Sequence, residues 1–394
     1  MYLTKQHFAN CGEFLDYVKA WELVKHEKIY KTLPTDVSSQ TMKIVERSYR
    51  SFFGLLKKKQ KGNYNRPVDE PGFLPKSGHF ILVFPVRKGR CEEHFKTQVP
   101  KRYQNVFGIK NITIPRPEYI KGKKLKEVRI LPKLKGGYFE IEWVYEEKQQ
   151  IQPVNKQHVL SIDLGVDNFA TCLDSKSGRP FILDGRFIKS YNRFVNKQVA
   201  HKMSVHEKVG LKTSKNKNRL YLRRRNVLNN ALNQYVNLIV QYCLKQRIGR
   251  IVVGQGYLAQ EGSNIGRRNN QNFVQIPFGQ FCFKLKSKCE LYGIDFETIP
   301  EPYTSKCDHL AGEEMVHHEK YLGRRVHRGL FRSSTGVLLN ADVNGALGIM
   351  LRSSCKVSVK RLAGRGCLTQ PSRISLVEIQ EKSAKNVVEL LCAA

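Results

Sequence analysis

The sequence predicts a multidomain α/β protein: a small antiparallel β domain with a helical insert, followed by a mixed β-sheet with helices. Three observations carry this. Residues 158–164 form a short apolar run interrupted by one acid, Asp163, with Gly165 just behind it. Two further strand candidates follow over short turns, as in an antiparallel meander. Beyond residue 250 the pattern becomes strand, helix, strand, which implies parallel pairing through a right-handed crossover.

In chain order, Phe14, Tyr17, Val18, Trp21 and Val24 recur at helical spacing over residues 13–33. Met42, Val45, Tyr49, Phe52, Phe53 and Leu56 mark one face of a second helix. Pro34 and Thr35 open that helix, and Lys57, Lys58 and Lys59 close it at the negative end of its dipole. Residues 60–78, rich in Gly, Pro, Lys and Asn, read as a loop. Strands are expected at 80–84, 111–114, 127–131 and 138–145. The last alternates Phe139, Ile141, Trp143 and Tyr145 with Glu140 and Glu142, and Gly136-Gly137 suits a hairpin turn before it. A polar joint ending in Pro153 marks a boundary. This divides the chain into 1–150, with its helical insert at about 12–65, then 151–350, then a tail at 351–394.

In the second part, strands are expected near 158–164, 169–173 and 180–183, then a basic, partly helical stretch from 185 to 213. A long helix runs from about 218 to 246 with Leu228, Leu232, Tyr235, Ile239 and Tyr242 as its stripe, Arg223, Arg224 and Arg225 near its start and Gly249 as its stop. A strand at 250–253, a helix at 276–291 stopped by Gly293, and a strand at 294–299 follow. A meander followed by parallel strands and helices is the order of a ribonuclease H-like sheet, with Asp163 on its central strand. The end of the tail, SLVEIQEKSAKNVVELL, reads as an amphipathic helix or a flexible segment.

Composition narrows the function. Lys and Arg total 68 against 34 Asp and Glu, a formal charge of +34. Such a surplus points to a polyanionic partner, nucleic acid before a membrane surface. No apolar run approaches the roughly 20 residues of a spanning helix. The opening residues, MYLTKQHFANCGEF, lack the apolar stretch and cleavage site of a secretory leader. The 10 cysteines are scattered without a CxxC pair, which argues against a disulfide framework and a zinc ribbon and suits a reducing cytoplasm.

An ionised Asp163 in a buried strand requires a partner, and a divalent cation is one. Asp342, in NADVNGALGIM, precedes a small-residue helical run. Each acid alone reads first as a turn residue or a helix cap. If the two meet in space on so basic a chain, they can bind Mg²⁺ and cut a phosphodiester.

The motifs SIDLGVDNFA (161–170), RIVVGQ (250–255), RRNNQNFVQIPF (267–278), PYTSKC (302–307) and NADVNGALGI (340–349) together resemble those of the TnpB family. These are transposon-encoded RNA-guided DNA nucleases related to type V CRISPR effectors. The resemblance spans about residues 28–350 and is looser in the N-terminal part. It implies a RuvC-like ribonuclease H sheet preceded by a wedge β-barrel with a helical recognition insert. Against the family's usual start, the first 12 residues look shortened at the expense of the first barrel strand.

The resemblance implies a carboxylate triad of Asp, Glu and Asp. Asp163 and Asp342 match directly, but Gly254 stands where the family ends its second motif with Glu. Glu301, just past the next parallel strand, is the candidate replacement, and its PYTSK context is similar to that of members in which the glutamate has moved there. Glu261, Asp295 and Glu297 are weaker candidates. Of the family's zinc ribbon only Cys307 remains, followed by Asp308 and His309, with His317 and His318 further on, so no structural zinc is expected. The insert at 302–339 instead carries a basic loop, 323–334, with Arg324, Arg325, Arg328 and Arg332.

The implied chemistry is Mg²⁺-dependent hydrolysis, with Mn²⁺ as a substitute, by Asp163, Glu301 and Asp342. The implied partners are a guide RNA derived from the transposon end and target double-stranded DNA with a short adjacent motif, with no membrane. Arg223, Arg224, Arg225, Arg267, Arg268, Arg324, Arg325, Arg328 and Arg332 are the candidate backbone contacts. Two alternatives stand beside it: a nuclease-dead, RNA-guided DNA-binding repressor, and a basic RNA-binding protein without guided targeting. The implied setting is the prokaryotic cytoplasm, at the nucleoid.

Overall fold

The computed structural model describes residues 1–74, 78–86, 91, 93–211, 214–256, 275–353, 355, 358–359 and 368–393. The chain divides into two compact units, Met1–Glu147 and Lys148–Ala394.

In the first unit, α1 (Tyr2–Cys11) ends where Gly12 turns to φ 66°. The opening residues thus form a helix. Asp16 caps α2 (Tyr17–Val24) by accepting from the Lys19 N–H. The helix expected over 13–33 is therefore confined to its middle. α3 (Thr35–Gln60) begins behind Pro34 and ends on the three lysines, as its sequence predicts. Next come β1 (Leu82–Pro85), β2 (His94–Gln98), α4 (Lys101–Phe107), β3 (Asn111–Pro115), β4 (Lys124–Lys133) and β5 (Tyr138–Glu146). Leu134, Lys135 and Gly136 all take positive φ in the turn before β5.

Among the described residues these strands make an open sheet, β1-β4-β5, and a separate ribbon, β2-β3, both antiparallel. Ribbon and sheet meet through side chains, Phe95 against Phe84 with ring centroids 5.3 Å apart, whereas barrel closure needs backbone pairing. Val37, Ile120 and Val128 complete the core.

The second unit is built on β6 (Asn155–Leu164), β7 (Asn168–Asp174), β8 (Pro180–Asp184), α5 (Arg186–Lys208), α6 (Lys215–Gln246), β9 (Ile248–Gly254), α7 (Phe278–Tyr292) and β10 (Asp295–Ile299). It continues with β11 (Arg324–His327), β12 (Leu330–Arg332), β13 (Leu338–Asn340), α8 (Ala341–Arg352), β14 (Ser372–Ile374) and α9 (Leu376–Ala393). Its mixed sheet has the order β10-β9-β6-β7-β8-β14 among the described residues. β6 pairs parallel with β9 and antiparallel with β7, so Asp163 lies on an interior strand.

The two-residue period of β6 sorts its side chains. Leu160 and Ile162 enter the large core shared with α6, α7 and α9. Val159 packs with Ile349 of α8 on the opposite face, the face to which Asp163 belongs. α6 ends at Arg247, which takes the left-handed φ of 57°. Gly249, expected as the helix stop, is inside β9 instead. A Cβ there would lie 2.6–2.7 Å from the Asn155 and Lys156 backbone, so glycine lets β9 run tightly against the start of β6.

The basic loop at 323–334 is also ordered differently. Its residues supply β11 and β12, which pair antiparallel with β13. The tail is part of this unit as well. β14 pairs parallel with β8, and Leu376, Ile379, Val387 and Val388 of α9 enter the large core. No helix among the described residues is long and apolar enough to cross a membrane.

Candidate carboxylate site

Asp163, Glu301 and Asp342 come from three separate elements and gather at one end of the mixed sheet. Asp163 is the penultimate residue of β6, opposite Thr171 of β7. Glu301 lies two residues beyond β10. Asp342 is the second residue of α8, whose cap Asn340 accepts from the N–H groups of Asp342 and Val343 at 3.0 and 3.3 Å. A carboxylate in that first turn is favoured by the helix dipole.

All three residues are part-buried. Asp163 is densely surrounded yet not closed off from solvent. Burial and the neighbouring charges of Glu301 and Asp342 push its pKa well above the ordinary value, while Arg325 opposes the shift. Burial also raises the Glu301 pKa against a backbone hydrogen bond from Gly256. Glu301 Oε1 is buried with no hydrogen-bond partner. An orphaned carboxylate oxygen beside two other acids is unfavourable in isolation and suits a cation.

Glycines make room for this arrangement. Ile299 at the end of β10 is in register with Gly254 at the end of β9. From there the Glu301 side chain folds back over β9. A Cβ on Gly254 would strike its Oε1 and lie 2.5 Å from its Cδ. A Cβ on Gly256 would strike Oε2. The carboxylate of Glu301 thus fills the space into which a side chain at position 254 would grow. On the other wall, a Cβ on Gly345 of α8 would lie 2.5 Å from Asp163 Oδ2.

The acids border a space without closing on one point. No group of three or more His, Cys, Asp or Glu among the described residues is arranged as a ready metal-ligand cluster. Mg²⁺ retains several waters and needs only one or two carboxylates directly, so bordering acids fit it. Among the weaker candidates, Asp295 is paired with Lys156 at 2.8 Å and Glu297 with Arg250 at 3.0 Å. Glu261 lies outside the described residues.

Arg324, Arg325, Arg328 and Arg332 are all exposed on the β11–β12 hairpin. Arg324 and Arg332 face each other across the pair, a like-charge opposition that an anion would relieve. Arg328 bonds Asp167 at 3.0 Å, and Lys189 bonds the same carboxylate at 2.7 Å. On α6, Arg223 and Arg225 are exposed. Arg224 is half-buried and serves the fold, donating to Asn192 Oδ1 at 2.8 Å and to the Gln275 carbonyl at 3.3 Å. Arg267 and Arg268 lie outside the described residues.

The segment expected to lack a zinc ribbon is a knot of buried polar groups. The Asp308 carboxylate accepts from Ser333 Oγ at 2.9 Å and from the Ser334 N–H and Oγ at 2.6 and 2.9 Å. Glu313 accepts from the N–H groups of Asp308 and Leu322 at 2.6 and 2.8 Å. Asn344 Nδ2 donates to the Cys307 carbonyl at 3.0 Å, and the Cys307 thiol donates to the Glu314 carbonyl at 3.4 Å. His309 Nε2 donates to the Thr304 carbonyl at 2.7 Å, and His318 Nε2 to that of Glu314 at 2.8 Å. His317 stacks edge-on against Tyr303.

Burial holds the His309 pKa below its ordinary 6.5. The unfolded chain then takes up a proton that the fold resists, so this histidine withdraws stability as pH falls through about 6.5. Melting temperatures at pH 7.5 and 5.5 check this: the gap is expected to narrow in His309→Gln, and an unchanged gap contradicts it.

Sequence reasoning passed over two polar residues at the site. Asn168, inside the first motif, donates from Nδ2 to Asp342 Oδ2 at 2.5 Å. Arg373 of β14 donates to Asn168 Oδ1 at 2.6 Å. Asn168 was visible within the motif, but nothing in a three-residue strand near the C-terminus signalled Arg373.

Two family models match parts of the chain. Residues 142–259 match the family model OrfB_IS605, described as a probable transposase. Residues 278–349 match that of the Cas12f1-like TNB domain. The first match contains Asp163 and the second contains Glu301 and Asp342. Both matches are in keeping with the resemblance to the TnpB family that the sequence motifs carry. A search of curated proteins finds no match. Among solved structures, the chain is similar to a cryo-EM CRISPR-Cas12f ternary complex at 12% identity and TM-score 0.40, covering 88% of this chain and 74% of that one. It is also similar to a Cas12f1–sgRNA–target DNA complex at 12% identity and TM-score 0.37, covering 88% of each chain.

Proposed function

We propose that this chain is an RNA-guided DNA endonuclease that hydrolyses phosphodiesters with Asp163, Glu301 and Asp342. The observation that carries the reading is the Glu301 carboxylate, its buried Oε1 without a hydrogen-bond partner, in the space that a side chain at Gly254 would fill and close enough to Asp163 to raise its pKa. The sheet order supports it, because three antiparallel strands flanked by two parallel ones is the RuvC-like ribonuclease H arrangement. Bound Mg²⁺, or Mn²⁺ in its place, would supply Lewis acidity and an activated water. Asp163, Glu301 and Asp342 would hold it, relieving the mutual repulsion that burial imposes on them. Arg325 and the exposed arginines beside it would grip the backbone of the bound strands without reading sequence. Part of the surplus charge would hold a guide RNA from the transposon end, with DNA sequence read by pairing and by a short adjacent motif.

The N-terminal unit would serve as the wedge, and the setting would be the prokaryotic cytoplasm at the nucleoid. The Asp308 and Glu313 carboxylates are taken up by hydrogen bonds from the protein itself, so we expect no stoichiometric zinc. A nuclease-dead repressor is the reading an empty second acidic position would favour, and the Glu301 carboxylate beside Gly254 supports the nuclease instead.

The test uses protein co-purified with its RNA and a supercoiled plasmid carrying a guide-matched target. Cutting is expected in Mg²⁺, and is expected to be absent in EDTA and on a mismatched target. Guide-dependent binding without cutting would overturn the nuclease reading in favour of the repressor. Binding indifferent to guide sequence would overturn guided targeting altogether.

A further inference from the structure

We infer that Asn168 and Arg373 are positioning residues for Asp342, so that the C-terminal strand completes the carboxylate site; this rests on the metal-binding reading above. Asn168 is the first residue of β7, 174 positions from Asp342, and spends both ends of its amide. Nδ2 donates to Asp342 Oδ2 at 2.5 Å, and Oδ1 accepts from Arg373 Nη2 at 2.6 Å. A carboxamide suits this place because it donates to an acid while accepting from a guanidinium. An aspartate at 168 would set two carboxylates against each other, and a leucine would leave both neighbours without this partner. The cation at one end fixes which way the amide faces, so its N–H₂ must point at Asp342.

Arg373 is itself anchored. β14 pairs in parallel register with β8, Arg373 opposite Ile182. Its guanidinium also lies 3.7 Å from Asp184 Oδ2, on a carboxylate that Arg186 holds from its backbone N–H and Nε at 2.9 Å. The chain of contacts therefore runs from Asp184 through Arg373 and Asn168 to Asp342. It occupies one oxygen of Asp342 and limits the rotation of its side chain. Such outer partners of a ligand carboxylate commonly matter about 10–100-fold in metal affinity.

The test is uptake of Mn²⁺ by the full-length chain freed of RNA, read from the loss of the free-ion electron paramagnetic resonance signal. The Asp163→Asn chain serves as the background. Asn168→Ala is expected to weaken the Asp163-dependent site about 10-fold or more. Arg373→Ala, on an edge strand, is expected to weaken it less, and Arg373→Lys to restore most of that loss. The double variant Asn168→Ala/Arg373→Ala is expected to match Asn168→Ala alone, since the arginine acts only through the amide. A purely structural Arg373 would lower the melting temperature and leave Mn²⁺ affinity unchanged, which overturns the inference. Fully additive losses would also overturn it. A wild-type chain that takes up no more Mn²⁺ than the Asp163→Asn background would sink the metal-binding reading and this one with it.

Discussion

Glu301→Gln is expected to reduce guide-dependent plasmid cutting about 1000-fold while raising the melting temperature of the metal-free protein. The two effects have one origin. Glu301 sits where burial raises its pKa and Oε1 finds no hydrogen-bond donor, and its charge adds to that of Asp163. Removing the charge at nearly constant shape relieves that repulsion, a gain of roughly 1 kcal/mol of the kind seen when strained functional sites are neutralised. It also removes a group needed to hold the metal, whose loss is worth several kcal/mol of transition-state stabilisation, or about three powers of ten in rate. Cutting assays beside thermal melts check both directions. Undiminished cutting by Glu301→Gln would remove it from the site, and Asp163→Ala run beside it separates that outcome from failure of the whole site.

Gly254→Ala is expected to be nearly as damaging to cutting, through shape alone. The new methyl would overlap the Glu301 carboxylate and come within 2.7 Å of Ile349 Cδ1 on α8. Something must move, and the flexible end of Glu301 moves most readily. Overpacking of this kind costs about 1–3 kcal/mol, so the melting temperature is expected to fall, unlike in Glu301→Gln. Restoring an acid on β9 in a Gly254→Glu/Glu301→Ala chain is expected to recover part of the cutting lost in Glu301→Ala. Wild-type cutting by Gly254→Ala would mean that Glu301 does its work from elsewhere.

Strong local signals made much of the fold legible. Pro34 and Thr35 start α3, Gly293 stops α7 at φ 76°, and β6 to β8 follow one another over short turns. What escaped had no apolar period to read. β2, HFKTQ, buries only Phe95 fully. The arginine hairpin is a pair of strands whose residues face solvent, apart from Phe331 and Leu330. β14 is three residues long, and only Ile374 reaches the core. Gly249 looked like a helix stop because glycine usually is one, yet Arg247 took the left-handed turn.

At the site, Asp163 and Asp342 were legible as acids beside an apolar strand and a helix start. Glu301 was proposed through resemblance and its place after a parallel strand. That Gly254 and Glu301 compete for one volume is a fact of side-chain packing between β9 and β10, which spacing along the chain does not encode.

That competition also constrains ancestry. The TnpB resemblance implies a predecessor with glutamate at the end of β9, in the volume that Glu301 now fills. The two side chains cannot share their present positions, so a chain carrying both acids would hold the Glu301 carboxylate elsewhere. One line of descent passes through a chain with neither acid. Such an intermediate would keep its basic surface, and selection for guided binding alone could have carried it until the acid returned from the neighbouring strand.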